Sequence, residues 1–200
     1  MFDVLVIGGG VAGVSCALVV GSAHKKEFVK NKVVGIIMHQ KGSMLQDAVF
    51  NNAYGIPQGT KGSDLLEQSK KDLALYSHIQ QIENEKVIEV KAHDNLFEVV
   101  TNKNSYTTKN IVVATNSSNT FDIVGLKQYV IPHQKSLPQK NRIQLKNNDH
   151  LVAPGIYVAG TLAGHRSQLA IASGSGAAVA TDLLVLWNDG NETHSHDSLR

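Results

Sequence analysis

FDVLVIGGGVAG, residues 2–13, decides the fold. Residues 2–7 are an apolar, β-branched run that stops at three glycines, and residues 11–20 continue with small and apolar side chains suited to a helix packed closely on a sheet. The order is strand, tight turn, helix. Gly8, Gly10 and Gly13 then stand at G-x-G-x-x-G spacing. Gly8 permits the sharp turn, Gly10 lets the backbone approach a pyrophosphate, and Gly13 lets the helix sit close to the strand. Phosphates would rest on the helix amino terminus, where free N–H groups and the dipole favour negative charge. A glycine-rich turn in any α/β protein gives the same letters. It is the strand before and the helix after that point to a dinucleotide or flavin dinucleotide site.

Outward from this unit, residues 32–38 (KVVGIIM) read as a second buried strand, and residues 39–61 as a polar connection long enough to be a functional loop. Residues 63–76 read as a helix capped by Ser63, with Leu65, Leu66, Leu73 and Leu75 on its apolar face. Residues 78–109 carry short alternating strands (HIQQI, KVIEVKA, LFEVVT, SYTTK), the pattern of an antiparallel meander. IVVA at 111–114 returns to a buried strand, and an irregular polar section runs to about residue 150 with a possible strand at 142–145. GIYVA at 155–159 is a strand, residues 167–187 a long helix, and NETHSHDSLR a mobile polar tail. The expected fold class is α/β: a three-layer, Rossmann-like arrangement with a parallel sheet and an antiparallel β-meander.

Composition narrows the function. The chain has 200 residues, 42% hydrophobic and 18% charged, enough for one sizeable core. Nineteen Lys and Arg against seventeen Asp and Glu are scattered rather than striped, so nucleic acid is not an expected partner. Cys16 is the single cysteine, which excludes an internal disulfide, a CxxC pair and a cysteine-based zinc site. Cys16 itself reads as a small buried residue. No signal peptide is visible at the amino terminus, and the apolar stretch 169–187 contains Asp182, so no membrane role is expected and the cytoplasm is the default location. Nine histidines include His194 and His196 beside Asp197 on the tail, which read as solvated rather than as a metal site. His133 and His165 are candidate proton donors whose simpler reading is an exposed loop histidine. No residue is assigned a catalytic role, and no metal is expected.

Three segments sharpen the ligand. VVATNSSNT (112–120), APGIYVAGTLAG (153–164) and SQLAIASGSGAAVATDLL (167–184) resemble the flavin-domain segments of the thioredoxin reductase family, within the pyridine nucleotide-disulfide oxidoreductase superfamily. The resemblance covers about residues 2–115 and 150–187. In that family the order is fingerprint, meander, an "ATG" strand end, an inserted NADPH domain with a CxxC, then "PGIYAAGD" and a helix beginning with Gln. Here 35 residues, 116–150, stand where the inserted domain would be. The resemblance implies a single FAD-binding domain over 1–188 followed by a tail over 189–200. It implies a flavin oxidoreductase that takes electrons from an external donor, with FAD as cofactor and a homodimer or a partner redox protein covering the vacated face. A non-catalytic nucleotide-binding or regulatory module on the same fold is the alternative.

The ligand contacts implied are the fingerprint residues Gly8, Gly10, Val11, Ala12 and Gly13; Met38 and His39 at the second strand end; and Asn52 in the long loop, beside Asn51. Further along they are Ile82, the strand end Ala114, Thr115 and Asn116, then Gly160 and Thr161, and Gln168 and Leu169 at the last helix. Gln168 matches the family glutamine, where the positive end of the helix dipole faces the flavin. Three positions depart from the family. Met38 and His39 stand where an acid binds the adenosine ribose, Asn116 replaces the glycine of "ATG", and Thr161 replaces the aspartate of "GD". A threonine offers one hydrogen bond but no charge-assisted acceptor. Each loss costs on the order of 1–3 kcal/mol of binding where the ligand group stays unsatisfied.

Overall fold

A computed structural model of the chain describes residues 1–39 and 44–196. The chain begins with β1 (Val4–Ile7), α1 (Val11–Ser22) and β2 (Val34–Met38), then a small hairpin of β3 (Val49–Phe50) and β4 (Thr60–Lys61). It continues through α2 (Gly62–Leu73), β5 (Ile79–Glu83), β6 (Val87–His93), β7 (Leu96–Thr101), β8 (Ser105–Thr108) and β9 (Ile111–Val113). Last come β10 (Val130–Pro132), β11 (Ile143–Leu145), β12 (Leu151–Ala153), β13 (Ile156–Val158) and α3 (Leu169–Trp187).

The central sheet has the order β12-β13-β9-β1-β2-β5, parallel throughout except for the β12–β13 pair. Its inner strands are buried on both faces, which is why they read as continuous apolar runs. One face carries Val4, Val6, Ile36 and Val112 against Val14, Cys16 and Val20 of α1 and Val179 and Leu183 of α3. The other carries Leu5, Ile37, Ile111 and Val158 against Val90, Phe97 and Val99 of the β6-β7-β8 meander and against Ile123, Leu126 and Leu145. Helices, parallel sheet and antiparallel meander make the three expected layers.

Three expectations are corrected. HIQQI is the edge strand β5 of the parallel sheet and not part of the meander, pairing Val34 with Ile79 through Met38 with Glu83. Its polar residues, which suggested an exposed hairpin, fasten α2 instead: Gln81 Nε2 donates to the Lys70 carbonyl at 3.0 Å, and Glu83 pairs with Lys70 Nζ. Helix α2 starts at Gly62 with Lys61 as its cap residue, and the Ser63 hydroxyl bonds Asp64, so Ser63 is no cap. Leu75 lies beyond the helix and is exposed. The section 116–150 also holds more structure than its composition suggested, since β10 and β11 form a hairpin, and β12 joins the main sheet just after it.

Helix α3 is long and apolar enough to cross a membrane by length and composition. In the fold it lies along α1, where Gly176 allows contact so close that a Cβ would come 2.0 Å from the Ala12 carbonyl oxygen. Ser15 Oγ donates to the Ser173 carbonyl at 2.8 Å across the same contact. The tail through His196 lies near the end of α1, with Ser195 Oγ 3.0 Å from Ser22 Oγ, and Asp197 falls outside the described residues.

Glu85 ties the meander together. It is buried, 6% exposed, and its carboxylate accepts from Thr101 Oγ1 at 2.6 Å, Asn104 Nδ2 at 2.7 Å and Tyr106 Oη at 2.9 Å. Burial pushes its pKa up, but the three donors outweigh that and hold it below the usual glutamate value. A depressed carboxyl contributes stability that is present above the unfolded pKa and is lost as pH falls through the folded value. Glu85→Ala should therefore lower stability by about 1–3 kcal/mol at neutral pH by stranding those donors. Urea unfolding should show the gap between wild type and variant narrowing as the medium turns acid.

Candidate functional site

The carboxyl ends of β1, β2, β9 and β13 point the same way and open into a cleft of about 900 Å3. The chain runs from β1 to β2 on one side and later places β9 on the other, so β1 is the switch point of the sheet. Open α/β sheets hold their ligands at that crevice.

The glycines after β1 divide the work. Gly8 has φ +123°, and a Cβ there would meet the Ala114 carbonyl oxygen at 2.5 Å, so the turn closes against the end of β9. At Gly13 a Cβ would lie 1.9 Å from the Gly8 carbonyl oxygen, which fixes α1 tight against the turn. Gly10 is different: a Cβ there would meet nothing within 4 Å and would project into open cleft. Gly10 is also the cap residue of α1, with no side-chain cap and no acid in the first turn. Val14 N–H is bonded to the Gly10 carbonyl at 2.9 Å, so the N–H groups before it have no intrahelical acceptor.

A second helix starts at the same cleft. Gln168 is the cap residue of α3, again without a side-chain cap or an acid in the first turn, and Ser167, Gln168, Leu169 and Ala172 line the wall. Between the two helix ends, Ala114, Thr115, Asn116, Gly160 and Thr161 complete the lining. Thr115 lines the cleft, while its hydroxyl oxygen is buried without a hydrogen-bond partner. Asn116 Oδ1 instead accepts from the Ser118 N–H at 3.0 Å, so it shapes the turn after β9. His39 and Asn52 also line the cleft, and Asn51 spends its side-chain oxygen on the Gly59 N–H at 2.9 Å.

Three expected contact residues do not reach the cleft. Met38 is buried and packs over Gly9, whose Cβ would come 2.5 Å from Met38 Cγ. Ile82 sits on β5 with its side chain among the meander-side core. Gly13 acts through packing alone. His133 is corrected too: it is buried, its Nε2 is 3.1 Å from the Thr161 carbonyl oxygen, and it supports the wall from behind. Cys16 is buried as expected, and burial, aided by Asp182, pushes its thiol up to about 12.

Glu85, Lys86, Asp122, Lys140 and Arg142, none of them marked by a motif in the sequence, also line the cleft. Glu85 is occupied by its three donors, and Asp122 is paired with Lys127 at 2.5 Å. The side chains of Lys140 and Arg142 have no hydrogen-bond or ion-pair partner among the described residues. The exposed polar composition of 116–150 hid them, since nothing in spacing alone brings that segment back over the β-strand ends.

The family model for pyridine nucleotide-disulphide oxidoreductases matches residues 2–160. The chain belongs to this family. No curated protein matches it in sequence. Among solved structures this oxidoreductase-family chain is similar to a thioredoxin reductase from Gloeobacter violaceus, with TM-score 0.77 and 12% identity over 100% of this chain and 99% of that one. It is also similar to a ferredoxin-flavin thioredoxin reductase from Clostridium acetobutylicum, with TM-score 0.69 and 16% identity over 94% and 98% of the two chains. The atypical thioredoxin reductase of Desulfovibrio vulgaris Hildenborough gives TM-score 0.71 and 13% identity over 94% and 99%. These likenesses establish the fold, the Rossmann-like arrangement shared with those thioredoxin reductases; in this chain 35 residues, 116–150, separate the β9 segment from the β12–β13 segment, and there is one cysteine.

Proposed function

We propose that the chain binds one FAD in this cleft and serves as a flavin oxidoreductase whose electron donor and acceptor are both separate molecules. The observation that carries the reading is Gly10: an unfilled Cβ direction over an uncapped helix terminus, inside a cleft where α3 presents a second one. The residues present fit the group. The free N–H groups of Val11 and Ala12 suit the pyrophosphate, and the Thr161 side chain offers a hydrogen bond along the cleft. The amino terminus of α3 favours negative charge at the ligand end that meets it. Bound FAD would supply reversible two-electron chemistry.

An outside donor is part of the reading because the chain has a single, buried cysteine and 35 residues in place of a second nucleotide domain. A second copy or a redox partner over this segment, where Val124 and Leu137 are exposed, is part of the same proposal. The test is an absorption spectrum and a turnover assay on the purified protein. Incubation with FAD and removal of the excess should leave yellow protein, and NADPH alone should then drive no disulfide reduction. Colourless protein after reconstitution would overturn the reading. NADPH-driven disulfide reduction without a second protein would overturn the assignment of an outside donor.

The second reading, a nucleotide-binding module without redox chemistry, draws on the missing acid at Met38-His39 and on Thr161. It requires ADP to bind as tightly as FAD.

A further inference from the structure

Behind the wall formed by Gly160 and Thr161 lies a polar network that none of the roles above uses. Gly160 N–H donates to Ser175 Oγ at 2.8 Å, and Ser175 Oγ is 3.0 Å from His150 Nε2. His150 Nε2 is 3.2 Å from His165 Nε2, with the ring centroids 5.2 Å apart. Ser175 and His150 are buried, His150 to 7% exposure. Asp149 and His150 reach this arrangement with φ of +44° and +71°, a region that strains residues other than glycine.

The donor order follows from the atoms. Ser175 accepts from Gly160, so its own hydroxyl hydrogen is free to donate, and the acceptor within reach is His150 Nε2. His150 then carries its proton on Nδ1, 3.6 Å from the Asp149 carboxylate. His165 supplies the N–H of the contact between the rings. Two neutral histidines pair the Ser175 hydroxyl and the facing ring nitrogens, with His150 Nδ1 left buried and without a hydrogen-bond partner, whereas a proton on His150 Nε2 turns it from acceptor to donor, forces the Ser175 hydroxyl to turn away and sets two N–H groups against each other.

We propose that His150 is a positioning residue: through Ser175 it holds the Gly160–Thr161 wall of the cleft, and proton uptake by the His150–His165 pair releases that hold. The charged surroundings agree in sign. Burial lowers the pKa of His150, with Asp149 on its own turn partly offsetting it. His165 is lowered by burial, by His150, and by Lys135 and His133 from the loop and strand end beside β10, again against Asp149. From α3, Asp182 is itself raised, first by burial and then by Asp149 and Glu192. With folded values below the ordinary 6.5, the pair is neutral and the wall held at neutral pH, and the hold weakens as pH falls through those values. By linkage, a ligand that grips Gly160 and Thr161 makes the pair harder to protonate.

The test uses the full chain with no added ligand. The Gly160 amide is followed by 1H–15N NMR from about pH 8 to about pH 5, beside the His150 ring resonances. In the wild type the amide should shift with the His150 midpoint. In His150→Gln, whose amide oxygen keeps an acceptor for Ser175, it should stay flat, as it should in Ser175→Ala. FAD affinity should fall about three- to tenfold over the same range in the wild type and hold steady in His150→Gln. A flat Gly160 amide while His150 titrates, or an unchanged profile in His150→Gln, would overturn the proposal. Stoichiometric Zn2+ binding lost in His150→Gln would overturn it too, since the facing nitrogens would then be metal ligands. The FAD arm rests on the function proposed above and the amide arm does not. Failure of FAD to bind at any pH would refute that function, and the amide would still decide this one.

Discussion

Gly10→Val is expected to weaken FAD binding by at least about 100-fold while the protein stays folded. The backbone there is extended, φ −85° and ψ −174°, a conformation valine adopts readily, and no atom lies within 4 Å of the new Cβ. Valine is a poor cap residue, so stability should drop by about 1 kcal/mol and Tm by about 2–4 °C. The isopropyl group, however, occupies the space in front of the free N–H groups of α1. Losing two hydrogen bonds to a charged phosphate, at about 1.5–3 kcal/mol each, accounts for two or more decades of affinity. Calorimetric titration together with a thermal melt separates the two effects. Unchanged affinity in a folded variant would place the ligand elsewhere.

Gly13→Ala, three residues along the same turn, should do the reverse. Its Cβ would sit 1.9 Å from a backbone carbonyl oxygen, which has no flexible end to move aside, so α1 must shift away from β1. Alanine gains about 1 kcal/mol of helix propensity over glycine. Overpacking against backbone outweighs that, and a net loss of at least about 3 kcal/mol, or roughly 6–12 °C in Tm, is expected. A variant melting within about 2 °C of wild type would show that the turn accommodates a methyl group and that the close approach is not needed.

Strands β1, β2, β9 and β13 were legible because burial on both faces forces unbroken apolar runs, and the turn was legible because only glycine serves at Gly8 and Gly13. Strand β5 was misread because an edge strand tolerates Gln80, Gln81 and Glu83, which mimic an exposed hairpin. Ser63 was misread because a residue suited to capping stands one position inside the helix. Of the expected contact residues, those next to strand ends and helix starts line the cleft, since local pattern fixes both. Met38 and Ile82 do not line it, because alternation along each strand turns their side chains into core. Lys140, Arg142 and His150 lie where only the long-range path of the chain brings them to the site, and no short-range signal marks that.

Equilibrium titration of the ligand-free protein with FAD, with FMN and ADP run in parallel, tests the central claim most directly. The cleft should take one FAD per chain, FMN far more weakly because it lacks the second phosphate and the adenosine, and ADP more weakly than FAD because it leaves the α3 end unfilled. No saturable FAD binding, or FMN binding as tight as FAD, would contradict the account.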